Sequence, residues 1–159
     1  MKIELIALGK TAEKYLKTGI EKYTKRLSHY KPRVDYTEIP IPSKLYSGSD
    51  QKRAMETEAD LVFRKISDSD HLTLLDDKGK MYSSVEFAAR FEKMLLSSHR
   101  KWILLIGGPF GFSAELKERA DSLLSLSRMT FSHQMVRLIT LEQLYRAQTI
   151  INKQSYHHE

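Results

Sequence analysis

The 159-residue sequence contains no cysteine. That absence removes disulfides, thiolate nucleophiles and thiolate-bound zinc together, and makes the cytoplasm the default compartment. The sequence also lacks any run of 18 or more apolar residues, and it has no charged segment leading into an apolar one near its start. Neither a membrane span nor a secretion signal is therefore expected. Familiar nucleotide and catalytic signatures are missing too. Gly107-Gly108-Pro109-Phe110-Gly111 is neither G-x-G-x-x-G nor G-x-x-x-x-G-K-[ST], and Pro109 removes an amide that a phosphate cradle would use. No G-x-S-x-G elbow and no H-E-x-x-H helix occur. His157 and His158 are adjacent, so their rings point apart in most conformations, and no metal is expected.

What is present reads as one domain spanning residues 1–159. A hydrophobic content of 41% beside 29% charged residues is ordinary for a folded chain and argues against disorder. The net charge of +6 is informative by its position. Residues 1–33 hold nine basic residues against three acidic ones, which accounts for the whole excess. A basic first helix on a neutral body suggests a footprint for a polyanion, most simply RNA, although a solvated helix face would look the same.

Apolar patterning alternates between the periods of strands and helices. Strands are expected at residues 2–8, 34–39, 71–75, 102–106 and 127–131. Helices are expected at about 11–28, 51–66 with Asp50 as cap, 83 or 84 to 96, from Ser113 onward, and from about Gln134 to Ile151. Asp77-Lys78-Gly79-Lys80 reads as the turn after the third strand. Five alternations of strand and helix predict an α/β fold, a mostly parallel sheet covered by helices on both faces. The last helix is apolar over a broad arc, which favours partners on two sides and makes a homodimer a fair expectation.

The chain is organised around Trp102–Arg146. An apolar strand stops at the glycine-rich turn beginning at Gly107, and a second strand-like piece, Ser127–Phe131, leads into the last helix. Strand ends that open into such turns are where α/β folds bind ligands. Without a phosphate cradle, thiol or metal, the first turn suits a ligand held by backbone groups and apolar walls. A tight structural turn would have the same glycines.

Leu105–Gly111, Leu126–Arg137, Glu142–Ala147 and the Tyr156-His157 pair together resemble the SPOUT methyltransferases, and the resemblance runs through the whole sequence, from Lys2-Ile3 and Ala7–Lys10 onward. It is closest to those members that methylate N3 of a pseudouridine in 23S ribosomal RNA. The resemblance implies a C-terminal trefoil knot, S-adenosyl-L-methionine as cofactor, and a homodimer with its active site at the subunit interface. Its implied partner is 23S rRNA within the large subunit or the assembled ribosome, and no membrane. By position it assigns cofactor contacts to Leu75, Gly107, Leu126, Ser127, Arg128, Met129, Thr130 and Phe131. The two turns around Gly107 and Ser127–Phe131 coincide with those read from the residues; Leu75 comes only from the resemblance.

N3 of a pseudouridine is an imide nitrogen, a poor nucleophile until its proton leaves, so a base or a field favouring the anion is required. His133, Arg137, Arg146, Tyr156 and His157 are the candidates. Arg146, Tyr156 and His157 are expected to be catalytic, and His133 and Arg137 to bind substrate, with the identity of the base left open. Arg137 and Arg146 could instead hold the RNA backbone, His133 could cap the last helix, and Tyr156 could simply pack. Two positions depart from the family's pattern: Ser132 stands where proline is usual, and His158 where a basic residue is common. The rival functional reading is a non-catalytic, ribosome-associated RNA-binding protein; a nucleotide-binding oxidoreductase is disfavoured by the missing dinucleotide fingerprint.

Overall fold

The computed structural model describes residues 1–158. Ten principal elements follow in order: β1 (Lys2–Leu8), α1 (Lys14–Leu27), β2 (Val34–Ile39), α2 (Gln51–Phe63), β3 (His71–Met81), α3 (Ser84–Leu95), β4 (Lys101–Ile106), α4 (Ala114–Arg119), β5 (Ser122–Ser125) and α5 (Met135–Ile151). The strands make one parallel sheet in the order β2-β1-β4-β3-β5.

Because successive strand side chains face opposite ways, each inner strand feeds two cores. On β4, Trp102, Leu104 and Ile106 join Leu5, Phe91 and Leu144 beneath α1, α3 and α5. Ile103 and Leu105 join Leu74, Val62 and Leu116 beneath α2 and α4. Near-continuous apolar sequence in β1 and β4 is thus what a sheet covered on both faces demands. The one polar atom of Trp102 is satisfied inside, its Nε1 donating to Thr73 Oγ1 at 2.9 Å.

Helix starts follow their capping residues. Asp50 accepts from Arg53 N at 3.0 Å, and Ser83 with Glu86 forms a reciprocal capping box on α3. None of the helices among the described residues is long and apolar enough to cross a membrane.

Two expectations are corrected. The strand expected at Ser127–Phe131 is a turn, with Ser127 Oγ accepting from Met129 N at 2.9 Å; the fifth strand is Ser122–Ser125, directly after the short α4. Asp121 secures that earlier position, its carboxylate accepting from Leu72 N at 2.7 Å. Strand β3 also runs on to Met81 through the residues expected as its turn. After Leu75 pairs with Leu124, the register shifts and Lys80 pairs with the same Leu124. Gly79 lies against the β5 backbone so tightly that a Cβ would sit 2.6 Å from Leu124 N. The segment after Leu75 therefore curls closely around the end of β5.

Candidate active site

Parallel strands run their carboxyl ends to one edge, and there the register-shifted stretch of β3 after Leu75 meets the turns after β4 and β5. Between them lies a cavity of about 390 Å3 lined by Leu75, Asp76, Asp77, the Gly107–Gly111 turn, Phe131, His133 and Val136. A crevice of about 70 Å3 continues from it along Leu126, Ser127 and Met129. Leu75, Gly107, Leu126, Ser127, Met129 and Phe131 thus share one groove, together with His133. Arg128 and Thr130 are exposed and line neither part. Phe131 is 42% exposed and Met129 76%, so the outer wall of the groove is apolar and open.

The glycine turn is shaped from behind. Gly111 takes a φ of +81°, a left-handed conformation that glycine adopts without a Cβ penalty. A Cβ on Gly107 would meet the Phe112 ring at 3.0 Å, and one on Gly108 would collide with Glu58 Oε1 and sit 2.8 Å from Tyr46 Oη. Glu58 is buried in α2, where Tyr46 donates a hydrogen bond to it. Burial pushes the Glu58 carboxyl above the usual range, partly opposed by that hydrogen bond. The Tyr46 ring also packs edge-on against Phe110 at 5.9 Å.

The start of α5 forms the far wall. Ser132 Oγ accepts from Met135 N at 3.2 Å and Ser132 O accepts from Val136 N at 3.1 Å, so the serine secures this helix start by hydrogen bonding. Gln134, the first helical cap, ties the loop after β1 to α5: its Oε1 accepts from Ala12 N at 2.9 Å and its Nε2 donates to Lys10 O at 3.1 Å. His133 does not cap the helix. Burial, then the nearby Arg137, lowers its pKa and keeps the ring neutral near pH 7.

Arg137 faces inward and is fully buried. It donates to Leu8 O at 2.9 Å, Gly9 O at 2.9 Å, Thr11 Oγ1 at 3.0 Å and His133 O at 3.2 Å, and lies 3.4 Å from Glu38 Oε1. Burial alone would raise the Glu38 pKa; hydrogen bonds from Thr11 and Tyr36, then Arg137, bring it below the usual value. All this binds α5 to the end of β1.

Arg146, Tyr156 and His157 come together elsewhere, near the other end of α5. Glu142 Oε1 accepts from Arg146 Nε at 3.1 Å, Arg146 NH2 at 2.6 Å and Tyr156 Oη at 3.2 Å. Arg146 NH1 is 3.2 Å from His157 Nδ1, and its guanidinium stands 4.9 Å from the Tyr156 ring centre. The hydrogen bond from Arg146 to Glu142 raises the Arg146 pKa. Burial, then hydrogen bonding to Tyr23 and the charge of Glu142, raise that of Tyr156, whose hydroxyl stays protonated. Arg146 lies ten residues beyond Val136 on one helix, a rise of about 15 Å.

Sequence reasoning passed over Asp76, Asp77, Phe112 and Gln134. The two aspartates had a signal, since they directly follow the last core-facing residues of a parallel strand. Gln134 had none, because its partners Lys10 and Ala12 are distant in sequence, and Phe112, five residues after Gly107, read only as the apolar residue before the Ser113 cap.

A family model described as "Predicted SPOUT methyltransferase" matches residues 1–157. The chain is 49% identical over 158 residues to ribosomal RNA large subunit methyltransferase H of Cytophaga hutchinsonii, covering 99% of this chain and 100% of that one. The protein of the same name from Flavobacterium johnsoniae is 45% identical over 159 residues, with both chains fully covered. Among solved structures, a probable methylase family protein from Haemophilus influenzae matches with a TM-score of 0.52 at 13% identity, over 95% of this chain and 66% of that one, a likeness of fold alone.

Proposed function

The chain belongs to the SPOUT methyltransferase family, and on that premise we propose that it methylates N3 of a pseudouridine in 23S ribosomal RNA, using S-adenosylmethionine and acting as a homodimer. The observation that carries this reading is the groove in which the β3 stretch after Leu75 and the turns after β4 and β5 converge. Its chemistry suits the cofactor. Leu75, Phe131 and Val136 offer apolar walls to a nucleoside, the Gly107-Gly108 backbone lines the same cavity, and the carboxylates of Asp76 and Asp77 would favour a cationic ligand. When bound, the cofactor supplies a methyl group on a sulfonium, and the protein's task is then mainly positioning.

The chain's own residues divide the remaining work. His133 lies beside the groove with a neutral ring able to accept a proton. Arg146 keeps its charge and stabilises an acceptor anion, while Tyr156 donates a hydrogen bond. Within one subunit that cluster is about 15 Å along α5 from the groove. This separation supports a site in which one subunit contributes the groove and its partner contributes Arg146, Tyr156 and His157. We include in this proposal the C-terminal trefoil knot that the family resemblance implies. Calorimetric titration with S-adenosylhomocysteine tests the cofactor assignment: saturable one-per-groove binding is expected, and no binding overturns it.

A further inference from the structure

At the opposite edge of the sheet, where β3 and β5 begin, lies a second cavity of about 520 Å3. From His71 at this edge to Leu75 at the groove the strand rises about 13 Å. Its polar lining is rich in donors: Arg90 and Lys93 from α3, Ser97 after that helix, and His71 with His99. The one carboxylate among the lining residues, Asp121, already accepts from Leu72 N at 2.7 Å and Arg119 NH1 at 3.2 Å.

Arg90 is held in place, donating from NH1 to Tyr82 Oη at 2.9 Å and from NH2 to Ser122 Oγ at 2.8 Å. Its Nε is nevertheless buried without a partner among the described residues, and so is Ser97 Oγ. A buried donor left unmatched costs about 1–3 kcal/mol, so two of them on one cavity point to an acceptor supplied from outside. The carboxyl end of α3 opposes an anion there with roughly half a charge, but Arg90 and Lys93 bring two full positive charges to the same place. Met94 and Leu96 supply an apolar wall, and Leu96 is 85% exposed at its rim.

We propose that this cavity binds a phosphate ester with an apolar body, the phosphate on Arg90, Ser97 and Lys93 and the body against Met94 and Leu96. The ester is either a free small molecule or a nucleotide unit of RNA, and the second source rests on the RNA reading above. Ring signals of His71 and His99 report binding by NMR during titration with inorganic phosphate and with phenyl phosphate at constant ionic strength. Saturable shifts are expected, with phenyl phosphate the tighter ligand. Ser97→Ala and Lys93→Gln should each weaken it by roughly tenfold. Displacement of phenyl phosphate by a short single-stranded oligoribonucleotide assigns the site to RNA, and failure to displace assigns it to a free ester. No saturable shift in the wild type, or shifts that both variants leave unchanged, overturns the proposal. S-adenosylhomocysteine titrated into the same samples separates the two readings. Its binding without phosphate binding defeats this proposal alone, and the converse defeats the cofactor assignment alone.

Discussion

Gly107 and Gly108 owe their identity to different neighbours. Gly107 leaves room for the Phe112 ring, which can shift by a few tenths of an ångström, whereas Gly108 lies against the Glu58 carboxyl and the Tyr46 hydroxyl. Gly107→Ala should therefore bind S-adenosylhomocysteine nearly as the wild type does. Gly107→Val drives Phe112 aside and should cost about 1–3 kcal/mol of stability, with affinity falling roughly tenfold, read by urea unfolding and calorimetry. Equal affinities for wild type and Gly107→Val would detach the turn from the cofactor. Glu58 carries a pH prediction. Its folded pKa lies above the unfolded value, so the stability it contributes is fully present below the unfolded pKa, about 4.3, and is lost as pH rises through the folded pKa. Glu58→Gln has no charge to bury. Its stability relative to wild type should rise as pH increases from that range, and a flat or falling difference in unfolding free energy would contradict the burial argument.

At the scale of elements, Arg137 fixes where α5 starts. Removing the guanidinium leaves Leu8 O and Gly9 O without their donor and Glu38 without its counter-charge. Arg137→Gln should destabilise the protein by about 3–5 kcal/mol in denaturant unfolding, and a loss under 1 kcal/mol would show that the network is dispensable. Helix α1 presents Lys14, Lys17, Lys22 and Lys25 to solvent on an arc of about 140°. If these meet phosphates, changing all four to Gln should flatten the salt dependence of rRNA binding by about 0.7 in log-log slope per lost contact. An unchanged slope returns α1 to an ordinary solvated face.

Elements with a strong period or a cap were legible: β1, β2, β4, α2 behind Asp50 and α3 behind Ser83. Strand β5 was not, because Ser122-Leu123-Leu124-Ser125 is too short to show a period and is held by β3 and Asp121 from far along the chain. The extension of β3 through Asp77-Lys78-Gly79 was hidden for the same reason: its local chemistry is that of a turn, and only pairing to β5 makes it a strand. Gly107 was legible as a turn because it ends the apolar strand β4, whereas Phe131 was read as the end of a strand that is in fact a turn, six residues beyond β5. The inward direction of Arg137 was not, for a charge in an apolar helix reads alike whether it faces solvent or a ring of carbonyls.

At the scale of the whole molecule, the separation of groove and tail cluster makes the subunit arrangement testable. Truncation after Asn152 removes Tyr156 and His157 but leaves the core intact, since Leu144 and Ala147 are the last buried apolar residues. Cofactor binding should persist and methyl transfer should be abolished. If the proposed homodimer holds, a mixed dimer of that truncation with a full-length Gly107→Val subunit, assayed at cofactor concentrations too low to fill the weakened Gly107→Val groove, keeps one intact groove facing one intact tail and should recover up to about half of wild-type activity. Activity no higher than that of the Gly107→Val homodimer at the same limiting cofactor would place groove and tail on one subunit. The most direct measurement of the central claim is mass spectrometry of 23S rRNA nucleosides from a strain lacking this gene. The account predicts that one N3-methylpseudouridine disappears, returns with the wild-type gene and stays absent with the truncated one; an unchanged nucleoside profile in the deletion strain would contradict it.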